Sequence, residues 1–274
     1  MSSGTLIVCS ISIGNDLDIT TRVFQALSTV KYIACEDTRV IKDLLNRLGI
    51  SHDDYQLFRM DQYQEKRSFD TFNQYINEFD VLFLSDAGTP GISDPGPLLI
   101  NHCLENQINV QIYPGVSAIT AFIAGSGKLM NDFYFGGFMP RKTNDIKHKV
   151  LECIERSTVG IWFESPKRIF KTIELIGTHY PDLDIICAKE LTKPYEQYFR
   201  GKSVDVYQKL QKSDLRGEWI FLVDGSSVSI DDTDKLKQYS IQFETIGLTG
   251  KQVKAVAEMF GLPKNKLYQE FKAL

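Results

Sequence analysis

The residues best suited to chemistry lie in one stretch, Ser85–Gly96, which holds three glycines, two prolines and two aspartates in twelve positions. Glycine lets a backbone approach a ligand closely, and proline stiffens the loop that presents it. The apolar run Val81–Leu84 before it is short and bulky enough for a buried strand, and Pro97–Ile100 after it reads as a helix start. Asp86 then stands where a strand ends, which in parallel α/β sheets is where ligands bind. A long structural loop is the alternative reading. The strand before and the helix after favour a ligand loop.

Five more polar clusters follow apolar runs: Gly14-Asn15, Glu36–Arg39, Pro114–Ser117, Phe163–Pro166 and Lys189–Lys193. Each alone also reads as a capped turn. Six along one chain imply a shared cleft, lined by backbone and carboxylates and suited to a small polar cofactor such as a nucleoside. The chain has no G-x-G-x-x-G after its first strand, no P-loop motif and no G-x-S-x-G elbow. Those absences argue against a nicotinamide enzyme, a P-loop NTPase and an α/β-hydrolase.

The elements that must position these clusters alternate. Strands are expected at 5–13, 31–35, 81–84, 110–113, 133–135, 159–163, 184–188 and 218–223. Helices are expected between them, the first through Val23, Ala26, Leu27 and Val30, the second through Leu44, Leu45 and Leu48, and another over 64–78. Residues 51–63 read as irregular. The alternation argues for parallel α/β architecture throughout. A Gly/Pro-punctuated region around 125–140 suggests a boundary, giving α/β domains over 1–125 and 126–228. The polar, acidic stretch 226–234 reads as a linker. Within 229–274, Thr249 caps a helix through Val253, Val256, Ala257 and Phe260; a turn at Gly261–Pro263 precedes a second through Leu267, Tyr268 and Phe271. The pair reads either as a helix-turn-helix or as a packing hairpin.

The chain has 274 residues and a net charge of −4, so any nucleic-acid contact must come from local basic patches. No run approaches 18 apolar residues, which excludes a membrane-spanning helix. Met1–Gly4 shows no signal-peptide pattern. Five scattered cysteines suit reduced core thiols in a cytoplasm, and neither they nor the four histidines have metal-site spacing, so no metal is expected.

The string Ser85-Asp86-Ala87-Gly88-Thr89-Pro90, continuing through Ile92–Gly96, resembles the signature of the ribosomal RNA small subunit methyltransferase I family. So do Ile13–Asn15 with Asp18–Thr20, Glu36–Arg39, Pro114-Gly115 with Ser117-Ala118, Gly137–Lys142, Phe163–Pro166 and Glu190–Lys193, in the family's order across essentially the whole chain. The chain departs from the family pattern at Ile11-Ser12, at Phe58–Gln62 and at Lys167. These departures spare the cofactor loops and bear on substrate choice.

The resemblance implies a tetrapyrrole-methylase-type fold: two α/β domains with S-adenosylmethionine between them, a C-terminal helical module that contacts RNA, and a homodimer. It implies methylation of the ribose 2′-hydroxyl of a cytidine in the decoding region of 16S rRNA, within the small ribosomal subunit. Cofactor binding is expected from Asp86, Gly88, Thr89, Ile92, Ser117, Ala118, Phe163, Leu191 and Gly217. Backbone groups would hold the methionine end, and apolar side chains would sandwich the adenine. Glu36, Asp37, Glu164 and Glu190 are candidate bases, and Lys193 a candidate for orienting the hydroxyl or its phosphate; a salt-bridged structural role is the alternative for each. Arg39, Arg141, Lys142, Lys167, Arg168 and Lys193 would form a basic rim, joined by Lys254 and Lys264 from the C-terminal helices. The rival readings are methylation of a tetrapyrrole or diphthine precursor, and a non-catalytic ribosome-binding protein.

Overall fold

The computed structural model describes residues 4–60, 65–92, 96–228, 232–260 and 262–273. Its first part runs β1 (Thr5–Cys9), α1 (Thr21–Thr29), β2 (Tyr32–Cys35), α2 (Thr38–Arg47), β3 (Gln56–Arg59), α3 (Glu65–Ile76), β4 (Val81–Leu84), α4 (Pro97–Glu105), β5 (Asn109–Tyr113) and α5 (Ala118–Ser126). The strands form one sheet in the order β3-β2-β4-β1-β5, with every pair parallel. Side chains alternate across a strand, so each central strand feeds two cores. Ile7, Cys9, Leu82 and Leu84 pack with α1 and α2 through Leu27, Leu44 and Leu45. Leu6, Val8, Val81 and Phe83 pack with α3 and α4 through Phe72, Ile76 and Leu99.

The second part runs β6 (Phe133–Phe138), α6 (Thr143–Glu155), β7 (Val159–Glu164), α7 (Ile169–His179), β8 (Asp184–Lys189), β9 (Gln197–Lys202), α8 (Ser203–Leu210) and β10 (Trp219–Asp224). This sheet has the order β6-β7-β10-β8-β9. The expectation of a parallel sheet fails here. Only β6 and β7 run parallel, while β10 lies antiparallel to both neighbours and β9 antiparallel to β8. An apolar run encodes burial, not direction, so the pattern carried no warning. Helices α6, α7 and α8 cover one face. Across the other lies α5, whose Phe122 joins Ile161, Ile186, Ile220 and Leu222.

Helix α5 is clamped to that second sheet. Gly125 passes so close to Tyr198 that a Cβ would stand 2.0 Å from its hydroxyl, and Arg200 Nη2 donates to the Gly125 carbonyl at 2.6 Å. Just beyond, Lys128 pairs with the buried Asp224 carboxylate. The helix that ends the first part is therefore anchored in the second.

Three further segments differ from expectation. Residues 56–59, expected to be irregular, form the edge strand β3. The first strand stops at Cys9 instead of Ile13, because Ser10 and Ile11 turn to donate to the Tyr113 and Gly88 carbonyls, at 3.1 and 2.9 Å. The expected linker is largely structured: Gly225–Ser227 form a 3₁₀ turn capped by Asp224, and α9 (Asp232–Thr245) begins within it. Residues 229–231 and Gly261 lie outside the described residues, as do Ser93–Pro95 of the central loop and Asp61-Gln62. With α10 (Gly250–Met259) and α11 (Lys264–Lys272), α9 makes a three-helix unit around Leu236, Val253, Ala257 and Leu267. Two helices were expected.

Candidate active site

The loops leaving β1, β4 and β5 are neighbours because those strands are adjacent in the order β4-β1-β5. They are also tied together. Ile11 N–H donates to the Gly88 carbonyl, and Gly88 N–H to the Ser12 carbonyl at 3.3 Å. The Thr89 hydroxyl donates to the Val116 carbonyl at 3.0 Å. With its one hydrogen so used, Thr89 accepts the Ser10 hydroxyl at 2.9 Å. Gly88 holds φ +70, open to glycine at little cost, and a Cβ there would press within 3.2 Å of Ile13.

This rim and the second sheet enclose a cavity of about 360 Å³. One side is Ile13, Ala87, Gly88, Thr89 and Ile92, with Ser117, Ala118 and Ile119 at the start of α5. The other side is Phe138, Phe163–Pro166, Leu191 and Glu218–Ile220. The volume lies within the roughly 300–1,000 Å³ usual for small-molecule sites, and the wall is mainly apolar with a few polar groups. Phe163 meets Phe135 edge-on, with centroids 5.1 Å apart, which fixes an aromatic ring in the wall.

Seven of the nine expected cofactor residues line this cavity: Gly88, Thr89, Ile92, Ser117, Ala118, Phe163 and Leu191. Asp86 and Gly217 do not. Asp86 turns its Oδ1 to accept the Asp37 N–H at 3.1 Å, and burial pushes its carboxyl above the usual range. Gly217, at φ +108, makes room for Glu190, whose Cγ would lie 2.6 Å from a Cβ there. Sequence reasoning missed Glu218, Trp219 and Ile220. They enter because β10 is antiparallel: the register Trp219↔Glu164 and Trp219↔Lys189 puts its beginning beside the ends of β7 and β8. Only strand direction could have revealed them.

Of the candidate catalytic residues only Glu164 lines the cavity. Glu36 and Asp37 follow β2, one strand farther out than β4, and neither lines the cavity. Asp37 caps α2 by accepting the Arg39 N–H at 2.9 Å and pairs with the Arg39 guanidinium at 2.6 Å. Arg39's side-chain and backbone hydrogen bonds pull the Asp37 carboxyl down to about 2. Glu164 is buried and accepts from Thr172, the Ser165 N–H and Arg168, at 2.8, 2.8 and 3.1 Å.

Glu190 and Lys193 form a third network. Lys193 Nζ donates to Glu190 Oε1 at 3.0 Å and to Glu218 Oε2 at 2.7 Å, while Glu190 Oε1 also accepts the Glu218 N–H at 2.9 Å. Burial alone would raise Glu190, but the Glu218 N–H and Lys193 outweigh it and hold the carboxyl low. Burial likewise works against the Lys193 charge, and its two carboxylates overcome it. This network braces the cavity beneath Leu191.

A profile of the tetrapyrrole (corrin/porphyrin) methylases matches residues 5–206. Among solved structures, diphthine synthase superposes with a TM-score of 0.63 at 13% identity, covering 81% of this chain and 89% of that one. The methyltransferase CobJ gives 0.58 at 18%, covering 81% and 94%. At such identities these show the fold. The ribosomal RNA small subunit methyltransferase I of Streptococcus pyogenes serotype M3 (strain MGAS315) is 31% identical over 276 residues, spanning 98% of this chain and 95% of that protein. This chain belongs to the ribosomal RNA small subunit methyltransferase I family. The Hydrogenobaculum sp. (strain Y04AAS1) protein of the same name is 38% identical over 222 residues, 80% of this chain and 94% of that one.

In this family member the expected basic rim divides. Arg141, Lys142 and Lys167 are exposed. Arg168 is instead a strut: its Nη2 donates to the Met139 carbonyl at 3.0 Å and pairs with buried Glu164. Arg39 is exposed but bound to Asp37, and Lys193 is held by two carboxylates. On the C-terminal unit, Lys254 lies over the Tyr268 ring at 3.9 Å, and Lys264 pairs with Glu258 at 3.0 Å. All five cysteines are free and buried, and burial pushes the thiols of Cys9, Cys35 and Cys103 up to about 12. Among the described residues, no helix is long and apolar enough to cross a membrane.

Proposed function

We propose that this protein methylates the ribose 2′-hydroxyl of a cytidine in the decoding region of 16S rRNA, within the small ribosomal subunit, using S-adenosylmethionine. The observation that carries the reading is the 31% identity to the S. pyogenes enzyme over 98% of the chain. The cavity fits the cofactor on its own terms. It has the right size, carries the Ala87–Thr89 loop in its wall beside a charged amino-acid end, and offers Phe163, Leu191 and Ile220 to an adenine. Asp86 and Gly217 act behind the wall, the first by fixing the loop and the second by admitting Glu190.

When bound there, S-adenosylmethionine supplies a methyl group activated by its sulfonium. The cavity walls orient that methyl, and positioning alone can lower the barrier by about 7–11 kcal/mol. Of the two carboxylates among the described residues lining the cavity, Glu164 is buried and tied through both oxygens to Ser165, Thr172 and Arg168, whereas Glu218 is exposed at the wall and steadied by Lys193. Glu218 is thus the group placed to take the hydroxyl proton as the oxygen gains its methyl. Arg141, Lys142 and Lys167 hold the RNA backbone. Lys264 exchanges its exposed partner for phosphate at little cost, since exposed pairs contribute about 0–1 kcal/mol. In this reading 1–125 and 126–228 form the catalytic body and 229–274 the RNA-contacting module. The protein works as a homodimer in the cytoplasm, with Phe133 and Tyr134, exposed on edge strand β6, as apolar surface for that contact.

The test is mass spectrometry of small-subunit rRNA, prepared with and without this protein and digested to nucleosides and oligonucleotides. A 2′-O-methylcytidine in the decoding region that appears only with the protein supports the reading. Cofactor binding without any methyl transfer to the subunit overturns it.

A further inference from the structure

The donor cavity does not end at Ile13 and Leu191. The two chain segments carrying those residues run on to wall a second recess of about 550 Å³, with Gly14, Asn15 and Leu17 on one side and Thr192, Lys193 and Pro194 on the other. The recess therefore draws on both halves of the molecule, as the cavity does.

Its walls are built to close tolerances. Gly14 packs on Lys193 so tightly that a Cβ would stand 2.3 Å from the lysine Cγ, and its φ of +151 suits glycine. Glu190 and Thr192 hold φ of 54 and 64 although neither is glycine. Such backbone is costly and gathers at ligand clamps. Thr192 Oγ1 is also buried with no hydrogen-bond partner, unlike the other buried side-chain oxygens and nitrogens of the described residues.

The chemistry left on the walls is specific. Lys193 is held by Glu190 and Glu218. Asp16, also in the wall, is held by Arg47 at 2.7 Å and Ser12 at 3.0 Å. What faces solvent is Leu17, 91% exposed, and Pro194, followed in the chain by Tyr195, 77% exposed. Asn15 spends its Oδ1 on the Leu17 N–H, which leaves its amide N–H₂ to donate outward. Apolar faces with, among the described lining residues, one amide donor and no free cation suit a nucleobase and not a phosphate: bases stack on such faces and hydrogen-bond along their edges.

We propose that this recess receives the base of the acceptor nucleotide, splayed from the RNA. Its ribose then turns across Ile13 and Leu191 toward the donor cavity. The inference rests on the ribosomal RNA reading above and adds the place where the acceptor sits.

The test uses the full-length protein, unmethylated small ribosomal subunits and tritiated S-adenosylmethionine. The variant Leu17→Ala/Tyr195→Ala should raise the KM for subunits about tenfold, as expected for losing a stacking platform. Its cofactor Kd, measured by calorimetry, and its Tm should stay at wild-type values. Tyr195→Phe, which keeps the ring, should keep the KM. A double variant with unchanged KM overturns the recess while leaving the methyltransferase reading intact. A KM rise matched by equal loss of cofactor affinity also overturns it, because the residues would then serve the donor cavity. Wild-type protein that transfers no methyl group to ribosomal RNA overturns both readings at once, and so is told apart from failure of the recess alone.

Discussion

Replacing Lys193 with methionine separates charge from packing at the brace beneath the cavity. Methionine keeps a flexible stem against Gly14 but removes the ammonium shared by Glu190 and Glu218. The Glu190 and Lys193 side chains are 19% and 25% exposed. Their pairing thus falls between exposed pairs, worth about 0.2–1 kcal/mol, and buried ones, whose breakage costs about 3–5 kcal/mol. The Glu218 arm, with that side chain 77% exposed, adds little. The variant should lose about 1–2 kcal/mol at pH 7, a factor of roughly 5–30 in the folded-to-unfolded ratio. The pH dependence follows from the shifts. Glu190 is depressed in the folded protein, so its contribution is present above the unfolded carboxylate value of about 4.3 and is lost as pH falls through the folded value. Lys193 is raised, so its contribution is complete below about 10.4 and is lost as pH rises through the folded value. Urea midpoints should therefore differ most between about pH 5 and 10, and the gap should narrow at pH 3. An equal gap at pH 3 and pH 7 would show that the lysine stem, not the ion pairs, stabilises this region.

Thr89→Arg should abolish S-adenosylmethionine binding in calorimetry by filling the cavity, with a stability loss of about 1–2 kcal/mol from the Ser10 and Val116 hydrogen bonds; unchanged affinity would falsify the site. Among the basic residues, Arg141→Ala with Lys142→Ala should leave Tm alone and flatten the salt dependence of subunit binding by about one unit of slope per lost phosphate contact. Arg168→Ala should instead lower Tm, because it strands the buried Glu164 carboxylate. Equal effects from the two changes would erase the distinction between rim and strut.

What could be read from the sequence depended on how local its cause was. Gly88 and Thr89 were legible because a tight, cavity-facing turn demands unusual residues at the turn itself. The first sheet was legible for a similar reason: strands covered on both faces must be apolar runs, and Val81–Leu84 is one. Strand direction has no such local signature. The reversal of β10, which delivers Glu218 and Trp219 to the cavity, is fixed only by pairing with β7 and β8 across the fold. Helix α9 was hidden by its acidic start, although Leu236, Tyr239, Ser240 and Phe243 recur at helical spacing and bury against α10 and α11.

The same distinction explains why the sequence could not sort its charges. Lys193 and Glu218 are 25 residues apart in sequence, and Arg168 meets Met139 across 29, so no spacing rule links them. A lysine or arginine at a strand end looks identical whether it faces phosphate or a buried carboxylate. Only the fold decides which. Here it spends Arg168 and Lys193 on holding the loops in place and leaves Arg141, Lys142 and Lys167 outside. The residues that shape the cavity and those free to meet a polyanion are therefore separate sets. Cofactor affinity and RNA affinity should accordingly respond to different substitutions, which makes the two halves of the proposed activity separable by experiment.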